Sequence, residues 1–324
     1  MACKRSRVRL SLTPPLKIST MNRNFSKFKT AFSLIELSIV ILIIGILVVG
    51  ITQSSRLITQ MRLASVKSMT LSSPVSSIKD LAVWLETSMD TSFIDSEESN
   101  GSAISVWNDI NPQSGTKNNA ISPTASESPI YISNGINGLP VLSSDGTNDS
   151  MLINTLTDSF VNGFTWIGVL QWNNGGSARG YFGLKSDYGS FNNLTTVFLD
   201  DCNGASGCFR VTSRTDGGLA SYFGFNTASF VKSNPHIISI VRKTNSLMNY
   251  DNGTQIGPTV NDGSVAGIYR TTGPWSLFKY TNSNTLYFQG YAGEYILFGR
   301  AISDDERKDI EKYLSKKWGI KLTS

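Results

Sequence analysis

The stretch AFSLIELSIVILIIGILVVGI at residues 31–51 decides the architecture of this chain. Residues 34–51 form an apolar run of 18 residues that only Glu36 and Ser38 interrupt. A helix of that length can cross the hydrocarbon core of a bilayer. A carboxylate in hydrocarbon costs about 2.5–3.5 kcal/mol on insertion scales, so Glu36 needs a partner or a function there. The run offers no cation within helical reach, and we expect the partner to come from another subunit.

These residues resemble the amino-terminal signature of type IV pilin-like prepilins, which is a basic leader, a small residue, Phe, and a hydrophobic helix with Glu at its fifth position. Lys27 and Lys29 precede Ala31, Phe32 follows, and Glu36 is fifth when Phe32 counts as first. The resemblance implies that a prepilin peptidase cleaves between Ala31 and Phe32 and that Phe32 is N-methylated. It also implies that Glu36 pairs with the Phe32 amine of a neighbouring subunit. The family usually has Gly where this chain has Ala31.

The amino-terminal region leaves two alternatives open. The apolar run at 34–51 also fits an ordinary signal-anchor helix. The leader covers residues 1–31 if translation starts at Met1, and it is shorter if translation starts at Met21.

The charge distribution predicts that the amino terminus stays in the cytoplasm. Residues 1–31 hold eight of the 29 basic residues and none of the 24 acidic ones, and positive charge is retained on the cytoplasmic side. Without this leader the chain has a net charge near −3, so the whole-chain pI of about 9.0 does not indicate nucleic-acid binding. We expect a single-pass inner-membrane precursor whose head lies in the periplasm and is later displayed at the cell surface.

Cleavage of the leader removes Cys3 and leaves Cys202 and Cys208 as a pair. Five residues, NGASG, separate them, and an oxidising compartment favours a disulfide that closes this small loop. A metal pair is the alternative, although the sequence supplies no nearby His or third Cys.

The apolar pattern continues beyond the membrane run as one long helix. A stripe of apolar residues at spacings of three and four indicates that the helix continues towards Pro74. The helix should end before Pro74, because a residue that precedes proline disfavours helical geometry. The stripe consists of Leu57, Met61, Ala64, Ser68 and Leu71. A flexible stalk at 65–79 is the alternative. The chain then divides into a leader at 1–31, a pilin helix at 32–73, a linker at 74–80 and a head at 81–322.

The sequence pattern of the head is typical of a β-sandwich. Short apolar and aromatic runs, punctuated by Gly, Asn, Asp and Ser, predict strands at 164–172, 195–199, 208–212 and 236–241. Asn252-Gly253 predicts a hairpin with a type I′ turn. A final helix begins at a capping box of Ser303 and Glu306 and ends at Gly319. The expected fold is mainly β: a long N-terminal transmembrane helix, then a jelly-roll β-sandwich with a short C-terminal helix.

The head resembles the laminin-G and concanavalin A-like modules of bacterial surface proteins across residues 78–322. The motifs that carry this resemblance are LAVWLE at 81–86, VWND at 106–109, SDGTND at 144–149, and GEYILFGRAI at 293–302. Such modules commonly bind glycans or proteins, and some bind calcium.

Candidate ligand-binding residues follow from loop position. Trp172, beside NNGG at 173–176, and Trp275, after Gly273-Pro274, are candidates for stacking on sugar rings, with a core position as the alternative. Asp145, Asn148 and Asp149 could supply oxygen ligands to calcium, although turn chemistry explains the same residues. We predict no required cofactor, with calcium as an optional ligand.

The sequence does not predict an enzyme. His236 is the single histidine and belongs to no nucleophile motif. Glycoside hydrolases of concanavalin-like fold need two neighbouring carboxylates, whereas Glu86 and Glu294 are far apart in sequence.

The combined prediction is a minor type IV pilin-like subunit that assembles through its helix and displays a head for adhesion or ligand recognition. The expected partners are other pilin subunits, the prepilin peptidase, the inner membrane, and a glycan or surface-protein ligand. A pseudopilin of a type II secretion system is one alternative. A secreted or membrane-anchored lectin-like protein is another, although TQSSR at 52–56 is a poor site for signal peptidase.

Overall fold

A computed structural model of the chain describes its backbone over most of the length. The described residues are 33–154, 156, 163–173, 180–181, 195–202, 205–214, 220–226, 233–243, 246–257, 259, 275–279 and 287–323. The side chains at 52, 53, 55, 56, 180–181, 195–202, 205–214 and 220–226 lie outside the description. The chain forms two compact units, Met1–Ser55 and Arg56–Ser324.

Helix α1 spans Leu34–Leu71, as the apolar pattern predicts. Within the first unit its segment Leu34–Ile51 has a mean hydropathy of 3.0, and none of it is buried among the described residues. Its length and composition are those of a membrane anchor or of a signal sequence.

The last turns of α1 belong to the second unit and are packed there. Val66 and Thr70 are buried, and Lys67 forms an ion pair with Asp90. Tyr313 Oη lies 3.4 Å from Thr70 Oγ1. The end of the helix is therefore docked on the head.

The segment at 74–80, which the sequence suggests as a linker, is also packed. A 3-10 helix covers Pro74–Ser77, with Val75 fully buried and Ile78 nearly so. These two apolar side chains find partners in the head, so the segment follows the surface of the head instead of bridging open solvent.

The head is built from short strands and one terminal helix. The strands are β1 (Leu81–Glu86), β2 (Val106–Trp107), β3 (Ala120–Ile121), β4 (Ile130–Ile132), β5 (Val141–Asp145), β6 (Met151–Ile153), β7 (Gly163–Trp172), β8 (Gly180–Tyr181), β9 (Thr195–Cys202), β10 (Ala205–Arg214), β11 (Ala220–Asn226), β12 (Pro235–Lys243), β13 (Ser246–Asp251), β14 (Thr254–Gln255), β15 (Trp275–Leu277) and β16 (Gln289–Phe298). Helix α2 spans Asp304–Trp318.

The described strands form antiparallel sheets. The large sheet runs β14-β13-β12-β7-β16-β5-β4. In it β5 pairs with the first half of β16 and β1 with the second half. Two four-stranded sheets run β11-β10-β9-β8 and β15-β6-β3-β2. The fold class is confirmed: a mainly β, antiparallel chain with an apolar N-terminal helix and a short C-terminal helix.

The large sheet separates two hydrophobic cores. Alternate side chains of β7, such as Trp166 and Leu170, enter an inner core shared with the sheet of β15, β6, β3 and β2. Its intervening side chains, Ile167 and Val169, enter an outer core that α2 and Val66 complete. Because β7 is buried on both faces, its sequence reads as a nearly continuous apolar run.

The local signals at the carboxyl end of the head are confirmed. Asn252 and Gly253 have φ values of 48° and 87°, as the type I′ turn between β13 and β14 requires. Ser303 and Glu306 form the capping box of α2, and Gly319 ends the helix with φ of 65°. Helix α2 therefore begins and ends where its sequence indicates.

Gly293 provides a test of how tightly α2 packs on the sheet. It lies at the register shift of β16 between Ala292 and Glu294, and a Cβ placed there would overlap the indole ring of Trp318. We expect Gly293→Ala to lower the free energy of unfolding by about 1–3 kcal/mol, because overpacking forces the ring or the strand to move. Urea unfolding followed by tryptophan fluorescence measures the change.

The matched control is Gly115→Ala, where a Cβ meets no atom within 4 Å. We expect that variant to stay within about 0.5 kcal/mol of the parent chain. Equal stability of the two variants would contradict the close packing of Trp318 on Gly293.

Candidate assembly and binding sites

Glu36 lies in the first turn of α1 and has a local partner. The backbone N–H of Ser33 donates to Glu36 Oε2 at 2.9 Å, and the N–H of Ile35 points back to Ser33 Oγ at 3.4 Å. This is a capping arrangement, and a carboxylate there also complements the helix dipole. The S-x-x-E spacing of Ser33 and Glu36 signals this cap, which the sequence analysis overlooked.

The cap leaves part of the Glu36 carboxylate available. Within the described part of the chain its Oε1 accepts no hydrogen bond. Ala31 and Phe32 lie outside the described residues. Cleavage between them, methylation of Phe32, and pairing of Phe32 with Glu36 therefore stay predictions.

The cysteine pair lies on neighbouring strands. Cys202 ends β9 and pairs with Ala205, whereas Cys208 on β10 pairs with Asp200 across a register shift. The two side chains lie outside the described residues, so the disulfide stays a prediction.

The two tryptophans proposed for sugar stacking occupy the core instead. Trp172 is 0% exposed and Trp275 is 1% exposed, and both belong to the inner core. Trp172 is the last residue of β7 and points to the same side as Trp166, while Trp275 starts β15. Neither ring has a face open to a ligand, so the interpretation of these residues as a binding rim is wrong.

The residues proposed for calcium form a hydrogen-bonded turn. Asp145 Oδ1 accepts from the N–H of Thr147 at 2.7 Å, and Asp149 Oδ2 accepts from the N–H of Asp145 at 2.8 Å. Asn148 donates to the carbonyl of Ser126. Burial raises the pKa of Asp149 to about 6. Among the described residues no group of three or more His, Cys, Asp or Glu side chains is placed to hold a metal ion. Calcium binding stays a prediction.

The main polar feature of the head is a buried ion network of Glu86, Glu294 and Lys317. The two glutamates lie opposite each other on β1 and β16 and are fully buried. Lys317 Nζ, on α2, donates to Glu86 Oε2 at 2.8 Å and to Glu294 Oε2 at 2.9 Å. Like charges directly opposite in a sheet repel, and the lysine compensates both.

On the Glu86 side, hydroxyl and backbone groups complete the network. Ser88 Oγ donates to Glu86 Oε2 at 2.6 Å and Ser92 Oγ to Glu86 Oε1 at 2.8 Å. Burial alone would raise the pKa of Glu86, but the charge and hydrogen bond of Lys317 and the hydrogen bonds of Ser88 hold it below its usual value. Glu86 is therefore ionised in the folded head.

On the Glu294 side, the partners are aromatic. Trp84 Nε1 and Tyr313 Oη each donate to Glu294 Oε1 at 2.9 Å, and Trp318 Nε1 donates to Glu294 Oε2 at 3.0 Å. Burial would lower the pKa of Lys317, but the charges of Glu294 and Glu86 raise it well above its usual value. The network is thus a charged, hydrogen-bonded tie between the sheet and α2.

This arrangement corrects the assumption that Glu86 and Glu294 are separate. Their register brings two carboxylates together, which is the residue pair that glycoside hydrolases use. Here both carboxylates are sealed from solvent and are bonded to Lys317 and to neighbouring donors. The pair has no access to a substrate in this structure. His236 lies on β12, as predicted, with its Nδ1 2.8 Å from Asp251 Oδ1.

A cleft of about 620 Å³ lies on the outer face of the large sheet beside the first turns of α2. Val241, Met248 and Ile302 form its apolar floor. Lys243 on β12 and Lys308 on α2 add exposed ammonium groups to its lining. No sequence pattern predicts this cleft, because its residues come from distant segments that share no motif.

Comparison with known proteins identifies a fold. No protein-family model and no curated protein sequence matches this chain. Similar solved structures include the ligand binding domain of botulinum neurotoxin serotype D in complex with N-acetylneuraminic acid, at 9% identity and a TM-score of 0.53. The binding domain of Paraclostridial Mosquitocidal Protein 1 matches at 16% identity and a TM-score of 0.51. The binding domain of botulinum neurotoxin DC in complex with SialylT matches at 12% and 0.51.

These matches cover 74%, 73% and 73% of this chain, respectively, and 52% of each neighbour. The chain thus spans about half the length of the structures it resembles. At such identities the likeness shows the fold alone. It agrees with the β-sandwich expected for the head.

The ion network predicts a strong dependence of stability on Lys317. Lys317→Met leaves two buried carboxylates facing each other, and we expect the free energy of unfolding to fall by about 3–5 kcal/mol. Lys316→Met removes a neighbouring exposed lysine and should change stability by less than about 0.5 kcal/mol. Urea unfolding of both variants at pH 7 measures the difference. Similar values for the two would show that the network does not stabilise the head.

The same network predicts two pH limits. The folded-state pKa of Glu86 is lowered, so its stabilisation is present above the ordinary value of 4.5 and is lost as the pH falls through the folded value. The folded-state pKa of Lys317 is raised, so its stabilisation is complete below 10.5 and is lost as the pH rises through the folded value. Unfolding measured from pH 3 to pH 11 should show a smaller loss at both ends in Lys317→Met than in Lys316→Met.

Proposed function

We propose that this chain is a minor pilin-like subunit that is anchored through α1 and displays a β-sandwich head for ligand recognition. The observation that carries the proposal is Glu36, a carboxylate at the start of the apolar segment Leu34–Ile51. That segment is not buried among the described residues. Its apolar surface therefore needs lipid or other helices around it.

The geometry at Glu36 supports assembly between subunits. Ser33 occupies one carboxylate oxygen through its backbone N–H, and the second is open within the described part of the chain. The amine of Phe32, created by cleavage after Ala31, would supply the cation. Because a charged pair is favoured in an apolar setting over a lone carboxylate, this pairing would set the axial position of neighbouring helices.

The fold of the head supports the recognition role. The binding domains that share the fold include one solved with N-acetylneuraminic acid and one solved with SialylT. We infer that the head of this chain also recognises a glycan, with a surface protein as the second ligand class. A minor subunit is one present in few copies in the filament. We include a low copy number in the proposal because a head of this size on every subunit would crowd the filament.

A pseudopilin of a type II secretion system shares every feature of α1 and remains the second candidate. A secreted lectin-like protein would need signal peptidase cleavage after Ile51, where the sequence TQSSR is unfavourable.

Processing is tested by mass spectrometry of filaments sheared from cells that express the chain. The expected amino-terminal peptide starts at N-methylated Phe32. A mature protein that starts near residue 55 and is free in the medium would overturn the pilin-like proposal.

Assembly is tested by Glu36→Gln, which keeps an acceptor for the Ser33 N–H but removes the charge. We expect normal cleavage and at least about a tenfold loss of incorporation into sheared filaments, since one charge-assisted contact is worth about that factor. Ser38→Ala is the matched control, because the Ser38 hydroxyl donates only within the helix, to the carbonyl of Ile35. Full incorporation of Glu36→Gln would remove the assigned role of the carboxylate.

A further inference from the structure

We propose that the cleft beside α2 binds an acidic sugar, with the carboxylate of the sugar held by Lys243 and Lys308. The inference rests on the proposed role of the head in glycan recognition and names the site and the ligand class. The volume of about 620 Å³ falls within the range of about 300–1,000 Å³ that is usual for small-molecule sites.

The charge of the cleft favours an anion. Its lining contains three cations, Lys243, Arg307 and Lys308, and one carboxylate, Asp304. Asp304 forms ion pairs with both Arg307 and Lys308, so two positive charges offset its negative charge. Lys243 makes no ion pair with any described residue. A positive cleft on a head whose mature chain is mildly acidic concentrates anionic ligands.

The wall of the cleft is fixed in position before a ligand arrives. The guanidinium of Arg307 lies 3.7 Å from the centre of the Tyr250 ring and also bonds to Asp304 and Glu311. Glu311 in turn accepts from Ser239 Oγ on β12 at 2.7 Å. These contacts hold the first turns of α2 on the sheet, so that the ligand does not have to order them.

The rest of the lining fits a sugar ring. Met248, which is half-buried, offers apolar surface to the hydrophobic face of a pyranose, beside the buried side chains of Val241 and Ile302. The lining also contains the hydroxyl groups of Ser303, Thr254 and Thr323, and the two threonine hydroxyls hydrogen-bond to each other at 2.7 Å. An apolar floor with a few polar groups around it is the usual composition of a ligand site.

An acidic peptide is the main competing occupant. An extended peptide is normally held by a row of free backbone groups along a strand edge. The strand edge that lines this cleft, β14, has only two residues, Thr254–Gln255, and the rest of the polar lining consists of side-chain groups. The chemistry therefore favours a compact, hydroxyl-rich acid.

The test uses the full chain in an uncharged detergent and the methyl glycoside of N-acetylneuraminic acid as the probe. Its neutral methyl ester and an acidic hexapeptide are the comparison ligands. Saturation-transfer NMR and calorimetry should detect the acid, with at least about tenfold weaker binding of the ester, because the ester loses the charge-assisted contacts. Binding of the acid should also weaken as the salt concentration rises.

The variant Lys243→Gln/Lys308→Gln should weaken binding of the acid at least about tenfold. Lys312→Gln is the matched control: Lys312 lies one turn beyond Lys308, is exposed, and also pairs with an aspartate of α2, Asp309. We expect this control to bind like the parent chain. Equal thermal unfolding of all variants confirms that they are folded.

Several results would overturn the inference. Equal binding of the acid and its ester would remove the role of the lysines, and unchanged binding by the double variant would place the sugar elsewhere. Preference for the peptide would assign the cleft to a protein ligand. If the head binds only neutral glycans, the proposed recognition function stands and the acidic-sugar site fails. Failure of filament assembly in the Phe32 and Glu36 experiments leaves the binding result unaffected.

Discussion

The head depends on a single lysine that is shared by two buried glutamates. Lys317 joins α2 to both β1 and β16, and without its charge the opposed carboxylates of Glu86 and Glu294 would repel each other in a medium that screens charge weakly. The aromatic donors around Glu294 belong to the same outer core that receives Val66 of α1. The ion network and the outer core therefore hold the sheet, the last helix and the end of the first helix in one arrangement. Replacing a whole buried ion network by well-packed apolar residues is often neutral for stability, whereas removing one partner leaves an uncompensated buried charge.

Local signals in the sequence predicted much of this fold, whereas pairwise contacts between distant segments escaped prediction. The capping box at Ser303, the Asn252-Gly253 turn and the stop before Pro74 each act within a few residues, and each was predicted correctly. The opposition of Glu86 and Glu294 depends on strand register across more than 200 residues, which no local pattern encodes. Trp172 and Trp275 were misplaced because proximity to a loop says little about which face of a strand a side chain occupies.

The two parts of α1 have different roles. Its first half has an apolar surface that is not buried among the described residues, whereas Val66 and Thr70 in its last turns are buried in the head. The segment at 74–80, which was expected to be a linker, follows the head surface through the buried side chain of Val75. Helix α2 packs in the same outer core as Val66 of α1. It also lines the cleft through Asp304, Arg307 and Lys308. Helix α2 therefore supports both the end of α1 and the candidate ligand site.

The bond between Glu86 and Lys317 also constrains the order of folding. Its two residues are 231 positions apart in the sequence, so the outer core of the head cannot be completed until the segment that forms α2 is present. Contacts of such long sequence separation slow folding, because the chain loses the entropy of loop closure before the contact stabilises it. The central ion pairs of the head are therefore among its last contacts to form.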